Sequence, residues 1–131
     1  MKHSLFILLF FVFTLSIAQG QKTKKPADFK KTLDLLQGTW VLKDDNHASV
    51  KINKNLWTFN YVGDPTSPID SFWITITDKL PQFVTPDINA EFLILMNKKD
   101  TMHYEIMGLS QKTLSLLYYP AGRINVYNKK N

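Results

Sequence analysis

The side chains best suited to acid–base or metal chemistry lie in the stretch DTMHYE, which contains Asp100, His103 and Glu105. His103 and Glu105 are two residues apart, so they project from one face of a β-strand. An imidazole beside a carboxylate is a pairing that general acid–base catalysis and metal binding both use. However, Tyr104 and its apolar neighbours occupy the alternate positions and are assigned to the buried side. We therefore interpret His103 and Glu105 as part of an outward polar face, and we expect no catalysis.

A second histidine, His47, lies beside Asp44 and Asp45 in the acidic stretch DDNH. An imidazole and carboxylates within one turn are a weak metal signal, because the spacing of ligands in a flexible turn is not fixed. The chain has no cysteine, no glycine-rich phosphate loop and no paired-histidine metal motif. A haem would need an inward histidine, and neither of these two is assigned there. We therefore predict no metal site and no cofactor.

The other candidate functional residues are aromatic or aliphatic and recur at every second position, which is typical of the apolar face of β-strands. The predicted ligand-binding set is Trp57, Phe59, Tyr61, Phe72, Ile74, Tyr104 and Tyr118. One interpretation is that these side chains line a pocket in which the tyrosine hydroxyls orient a small hydrophobic ligand. The alternative is an interior filled by its own side chains, which is the ordinary state of a small domain.

Alternating segments with turn residues between them predict the elements that position this set. The expected strands are Thr39–Lys43, Ser49–Asn53, Leu56–Val62, Ser71–Thr77, Glu91–Asn97, Met102–Met107, Thr113–Tyr119 and Arg123–Asn128. Short links favour antiparallel neighbours in chain order, and closing the sheet removes its exposed edges. We predict an all-β fold, an eight-stranded antiparallel up-and-down barrel. The alternative is a two-sheet sandwich that uses DKLPQFVTPDINA as its long connection.

Alternation also assigns inner faces to the later strands, and a helical pattern precedes the first strand. The inner residues are predicted to include Phe92, Ile94 and Met96, then Met102 and Ile106, then Leu114 and Leu116, and finally Ile124 and Val126. The stretch DFKKTLDLLQ predicts a short helix with Asp28 as its N-cap and Gly38 just beyond its end. We expect Phe29, Leu33 and Leu36 on this helix to cover Leu93, Leu95 and Leu117 on the outside of the barrel.

The first residues predict an exported protein. Lys2 precedes an apolar run from Leu5 to Ile17, and Ser16 and Ala18 occupy the small-residue positions expected before a cleavage site. This run is short for a membrane span and typical of a secretory signal peptide. We predict a signal peptide over residues 1–18, a basic flexible leader over 19–27 and one barrel domain over 28–131. The expected localisation is periplasmic or secreted, without stable membrane insertion after cleavage.

The net charge of +5 raises the question of nucleic-acid binding. The excess lies in the tails, because residues 32–128 contain eight basic side chains against ten acidic ones. Basic tails of this kind more often keep a leader segment hydrated or contact anionic surfaces than recognise nucleic-acid bases. We therefore expect no nucleic-acid partner, whereas a protein partner stays open.

Taken in order, a signal peptide, a short helix, Leu-x-Gly-x-Trp at Leu36 to Trp40, eight strands and a late arginine resemble the lipocalin-like branch of the calycin superfamily. The tail from Tyr104, YEIMGLSQKTLSLLYYPAGRINVYNKK, is similar to the end of small exported lipocalin-like domains of bacteria. The resemblance implies that Trp40 closes the barrel floor and that Arg123 packs across its ring, with Gly38 allowing close approach. It also implies a non-enzymatic protein that binds a small hydrophobic ligand in the barrel. The alternative is a filled-barrel interaction or scaffold module of the cell envelope.

Overall fold

The computed structural model describes residues 26–63, 66, 69–79 and 90–131. The predicted signal peptide, nearly all of the basic leader and most of DKLPQFVTPDINA lie outside these residues. The elements are α1 (Pro26–Leu36), β1 (Gly38–Leu42), β2 (Ala48–Asn53), β3 (Leu56–Tyr61), β4 (Ser71–Thr77), β5 (Glu91–Met96), β6 (Thr101–Leu109), β7 (Thr113–Tyr119) and β8 (Arg123–Lys129). Within the described ranges, no helix is long and apolar enough to cross a membrane.

The strands form a closed barrel in which each strand is antiparallel to the next along the chain. Closure is made by β1 and β8, with Trp40 opposite Lys129 and Leu42 opposite Tyr127. This confirms the predicted eight-stranded up-and-down barrel and contradicts the two-sheet sandwich. The predicted strand ends differ little from those observed. The largest extension is in β6, where a bulge between Ile106 and Gly108 lets the strand continue to Leu109.

The barrel has two different ends, which we call the floor end and the mouth end. The floor end is where α1 enters β1 and where the β2–β3 and β6–β7 turns lie. The mouth end carries the β1–β2, β3–β4, β5–β6 and β7–β8 connections. At the floor end, the Gln37 amide nitrogen donates to the backbone oxygen of Lys54 at 2.9 Å, and its amide oxygen accepts from the Lys54 backbone nitrogen at 2.6 Å. The end of α1 is therefore tied to the β2–β3 turn.

Helix α1 closes the floor end and does not cover the outer wall as predicted. Leu36 is completely buried in the same core cluster as Trp40, and Leu33 packs against that cluster. The helix also shares surface clefts with the lumen-facing residues Ile74 and Ile106. The physical reason is the link, since only Gln37 separates α1 from β1. The helix also begins at Pro26, so Asp28 lies in its first turn and is not its N-cap.

Two strands have the opposite inner face from the one predicted. In β5, Leu93 and Leu95 are fully buried and lie opposite Tyr104 and Met102, so they face the lumen. Phe92, Ile94 and Met96 therefore lie on the outer face, where Phe92 is nevertheless completely buried. Both faces of β5 are apolar, so alternation did not distinguish them.

In β8 the inner face is polar at several positions, which hid it from the hydrophobic pattern. Tyr127 is buried and lies opposite Leu42 and Leu114, whereas the predicted inner residue Ile124 is 56 % exposed. By the same alternation Arg123, Asn125 and Lys129 share the inner face with Tyr127, and Val126 faces outward. The inner face of β8 therefore carries polar residues at both of its ends, exposed at Arg123 and half-buried at Lys129.

Candidate functional site

The floor end is built around the indole of Trp40, which is completely buried. Its ring nitrogen donates to the backbone oxygen of Leu36 at 2.7 Å, so a helix-end carbonyl that has no partner within the helix is satisfied. The cation above the ring is Lys129, with its Nζ 5.1 Å from the ring centroid. Such a contact contributes about 0.5 to 2 kcal/mol, depending on burial. Trp40 therefore lies at the floor and joins the helix, β1 and β8.

The predicted pair of Trp40 with Arg123 is not formed. Arg123 is the first residue of β8 and lies opposite Tyr118, whereas the β8 residue opposite Trp40 is Lys129. The two cations are the first and the last of the 7 residues of β8, so most of the height of the barrel separates them. Arg123 therefore belongs to the mouth end.

A glycine is required at position 38 for two reasons, the backbone conformation there and the closeness of the Lys129 side chain. Its φ is +117°, a conformation that side-chain-bearing residues rarely adopt. A Cβ placed there would approach Cε of Lys129 to 2.9 Å. Gly38 is therefore in close contact with the Lys129 side chain, which also covers Trp40. The missing Cβ leaves room for this side chain to lie over β1.

The mouth end opens into a mainly apolar cleft of about 160 Å³, which we call the mouth cleft. It is lined by Leu42, Ala48, Ser49, Val50, Phe59, Asn60, Tyr61 and Tyr127. The inward positions of β1, β2, β3 and β8 supply the apolar wall, because directly paired residues of antiparallel strands share a face. A cleft of this size holds a small ring system or a short branched chain.

The predicted ligand-binding residues divide between the filled core and the mouth. Trp57, Phe72 and Ile74 are buried in the hydrophobic core. Phe59 and Tyr61 line the mouth cleft, and the ring of Phe59 stands edge-on to Trp57 and Phe72 at centroid distances of 5.7 and 5.6 Å. The aromatic rings beneath the cleft therefore form its base and not the wall of a deep lumen.

Tyr104 and Tyr118 lie across the barrel from β2 and β3, with ring centroids 5.2 Å apart. Burial raises the pKa of Tyr104 far above its ordinary value, and the Tyr127 and Tyr118 hydroxyls add to that rise. Burial also raises the pKa of Tyr127 to about 12. The positive charge of Arg123 opposes the rise in pKa at both Tyr104 and Tyr127. The Tyr104 and Tyr127 phenols are therefore neutral hydrogen-bond donors at physiological pH.

The histidines are arranged as polar surface groups. His103 lies opposite Ile94 and Tyr119 on the outer side of the sheet, and neighbouring Glu105 accepts a 2.6 Å hydrogen bond from the Tyr119 hydroxyl. That hydrogen bond is the main cause that raises the pKa of Tyr119 to about 12. His47 lies 3.3 Å from Asp45 and faces Tyr61 at a ring distance of 6.2 Å. Across residues 26–63, 66, 69–79 and 90–131, no group of three or more acidic or histidine side chains is placed to hold a metal ion.

Three residues that matter at the two ends were not predicted from the sequence, namely Leu42, Tyr127 and Lys129. Leu42 and Tyr127 wall the mouth cleft, and Lys129 covers Trp40. The bulky aromatic at position 127 was the available signal for the inner face of β8. It was outweighed by the aliphatic pair Ile124 and Val126, which lie on the outer face.

No family model matches the chain, and no curated protein or solved structure was found to be significantly similar to it. Any functional assignment therefore depends on the fold and on the residues at the mouth end.

Proposed function

We propose that the chain is an exported, lipocalin-like, non-enzymatic protein that binds the apolar part of a small molecule in the mouth cleft. The observation that carries the proposal is the apolar cleft of about 160 Å³ at the end of the barrel opposite to α1. Small-molecule sites are concave and mostly apolar with a few convergent polar groups, and barrel mouths are a preferred location. The closed barrel and its Gly-x-Trp opening support the lipocalin-like assignment, and the composition of residues 1–18 supports export.

The filled core limits how deep such a ligand reaches. Trp57, Leu93, Leu95 and Leu116 are completely buried in or beside the centre of the barrel. An eight-stranded barrel is only wide enough to be filled by side chains or to hold one small ligand. The proposed ligand therefore occupies the mouth, above the ring of Phe59, and is small. His103 and Glu105 lie on the outer face, away from the cleft, so we assign them no catalytic step.

Filling the cleft tests the proposal most directly. The mature protein is titrated by calorimetry with indole, a small neutral ring system that suits a cleft of about 160 Å³, and we expect saturable binding with one-to-one stoichiometry. Ala48→Phe places a ring in the cleft and should abolish this binding, because Ala48 faces the lumen opposite Tyr61. The matched control is Thr75→Phe, which adds the same ring to an exposed position on β4. Absence of saturable binding, or equal binding by a folded Ala48→Phe variant, would overturn the proposal.

The second candidate is a filled-barrel interaction module of the cell envelope, favoured by an apolar row outside the barrel. Trp73 is 60 % exposed and lies directly opposite Leu56 and Met96, of which Met96 is 52 % exposed. Single exposed apolar residues are common, but an exposed indole beside a methionine resembles an interface core. If this candidate is correct, the wild-type protein co-sediments with a washed envelope fraction and Trp73→Ser does not. Ile124→Ser, at another exposed aliphatic position, is the matched control.

A further inference from the structure

The three tryptophans of the chain lie in three different environments. Trp73 is 60 % exposed on the outer wall, so its ring is largely in solvent. Trp40 is completely buried, and its ring nitrogen donates to the backbone oxygen of Leu36 at 2.7 Å. Trp57 is also completely buried, but its Nε1 is the one buried side-chain nitrogen or oxygen without a hydrogen-bond partner in the described part of the chain. The fold therefore satisfies one buried indole and leaves the other with an unused donor.

The side chains around Trp57 offer it no acceptor. On the neighbouring strands it lies directly opposite Ile52 and Phe72, and the ring of Phe59 stands edge-on to it at a centroid distance of 5.7 Å. Buried N–H groups normally have partners, because an unmade hydrogen bond is unfavourable. An apolar side chain would fill this part of the core without that penalty, so packing alone does not explain an indole at position 57.

Trp57 lies directly beneath the mouth cleft. It precedes Phe59 by two residues on the inner face of β3, which is about 7 Å along the strand, and Phe59 lines the cleft. Phe59 is only half-buried. One aromatic side chain that borders open space thus separates the cleft from the indole, and side chains in such positions change rotamer readily. A shift of the Phe59 ring would bring the Trp57 N–H within reach of a molecule in the cleft.

We propose that the ligand of the mouth cleft carries a neutral carbonyl oxygen, which accepts a hydrogen bond from Nε1 of Trp57. This inference rests on the proposed binding function and names its ligand class. The apolar part of the ligand packs against Leu42, Val50 and Phe59, which line the cleft. Binding then satisfies the buried donor that the described residues leave unused, so the carbonyl group adds to the affinity.

A neutral acceptor is favoured over a charged one by the surroundings of the indole. Ile52, Phe59 and Phe72 are apolar, and no charged residue of the described chain is buried in the core. An ion placed there without a countercharge would be very unfavourable, whereas a carbonyl group loses little once its oxygen accepts a hydrogen bond. The cleft volume of about 160 Å³ restricts the apolar part to a small ring system or a short branched chain. The ligand class is therefore a small uncharged carbonyl compound.

Two probes that share a ring system and differ in one carbonyl oxygen test the inference. The mature protein is titrated by calorimetry with 1-indanone and with indane, the hydrocarbon that lacks the oxygen. An apolar cleft alone would prefer indane, because a carbonyl group has to leave water to enter it. We expect 1-indanone to bind the wild type about tenfold more tightly, as one new hydrogen bond to a buried donor gives. Trp57→Phe should abolish this preference, whereas Trp73→Phe, which removes the same N–H from an exposed position, is the matched control and should retain it.

Nuclear magnetic resonance of the indole N–H groups gives a second measurement, made on the wild-type protein and independent of how well a variant folds. We expect 1-indanone to move the Trp57 indole proton signal downfield, as a newly formed hydrogen bond does. The indole signals of Trp40, which already donates to Leu36, and of Trp73 should not move. Indane should produce no downfield shift at Trp57.

The possible results separate this inference from the proposed function. If 1-indanone binds the wild type no more tightly than indane, or binds without the downfield shift at Trp57, the binding function stands and the carbonyl inference is overturned. The carbonyl inference is also overturned if Trp57→Phe weakens both probes by one factor, because Trp57 then acts only on structure. If neither probe binds and indole also fails to bind, the proposed function itself is wrong.

Discussion

The two ends of the barrel use similar residue types for opposite purposes. At the floor end, a cation, an aromatic ring and a helix come together, and the Trp40 nitrogen is bonded to the Leu36 carbonyl. At the mouth end, a cation and aromatic rings also come together, but no helix covers them in the described structure and Tyr127 borders an open cleft. The difference is the cover over each end, because α1 packs on the floor and contributes Leu36 to the core there. The floor therefore stabilises the fold, and the mouth is where we propose that a ligand binds.

A single strand carries both arrangements. The inner face of β8 begins at Arg123 at the mouth and ends at Lys129 at the floor. Lys129 is held by the ring of Trp40, whereas Arg123 is exposed and is not bonded to a carboxylate in the described part of the chain. Substitutions at the floor should therefore change the free energy of unfolding strongly, and polar substitutions at the mouth should change mainly binding and titration.

The largest expected effect is that of Trp40→Ala. It removes a completely buried indole and the hydrogen bond to Leu36, which together hold α1 on the floor. Large-to-small substitutions of buried aromatic residues cost about 3 to 5 kcal/mol, so the free energy of unfolding should fall by that amount. Denaturation with urea, followed by far-ultraviolet circular dichroism, measures the change.

The matched control for this prediction is Trp73→Ala, which removes the same side chain from an exposed position. Trp73 is 60 % exposed on the outer face of β4, so its loss should change the free energy of unfolding by less than about 0.5 kcal/mol. Equal destabilisation by the two substitutions would contradict the special role of the floor.

A smaller effect is expected at Gly38. Gly38→Ala must adopt φ near +117° and bring its Cβ to within 2.9 Å of Cε of Lys129. The end of the lysine side chain can move, so most of the expected loss of about 1 to 3 kcal/mol arises from backbone strain. The control is Gly108→Ala, because no atom lies within 4 Å of a Cβ at that position. If the two alanine variants have the same urea midpoint, the strain argument is wrong.

Much of the fold could be predicted from the sequence because the strands carry clear alternation and polar turns. Ser71–Thr77 and Thr113–Tyr119 agree with the observed β4 and β7 at both ends. Alternation could not predict the inner face of β5, because the residues of this strand are apolar on both faces. It misled in β8, where the outward Ile124 and Val126 are aliphatic and the lumen face contains Arg123.

The candidate site was harder to predict, because its position depends on which end of the barrel is filled. Trp57 and Phe59 are two residues apart on one face, yet Trp57 is completely buried in the core and Phe59 borders the mouth cleft. Which of the two residues is buried depends on the register of the neighbouring strands and on where α1 packs. Neither can be predicted from local periodicity. The position of Lys129 over Trp40 likewise follows from the register of β1 against β8, a long-range property.

The smallest effect expected is in the titration of the mouth tyrosines, and it tests directly whether Arg123 lies near them. Burial raises the pKa of Tyr127 from 10.0 to about 12, so the folded state favours the neutral phenol. The resulting stabilisation is fully present below pH 10 and is lost as the pH rises from 10 towards 12. Because the positive charge of Arg123 lowers the pKa of Tyr127, Arg123→Gln should raise this pKa further and shift the late part of the tyrosinate absorbance titration to higher pH.

Two controls accompany this titration. Lys112→Gln at the floor end should leave it unchanged, and Tyr127→Phe should remove one late-titrating phenol. If the late titration is the same in Arg123→Gln and the wild type, Arg123 does not lie over the lumen, and the contrast between an unpaired mouth cation and a paired floor cation is lost.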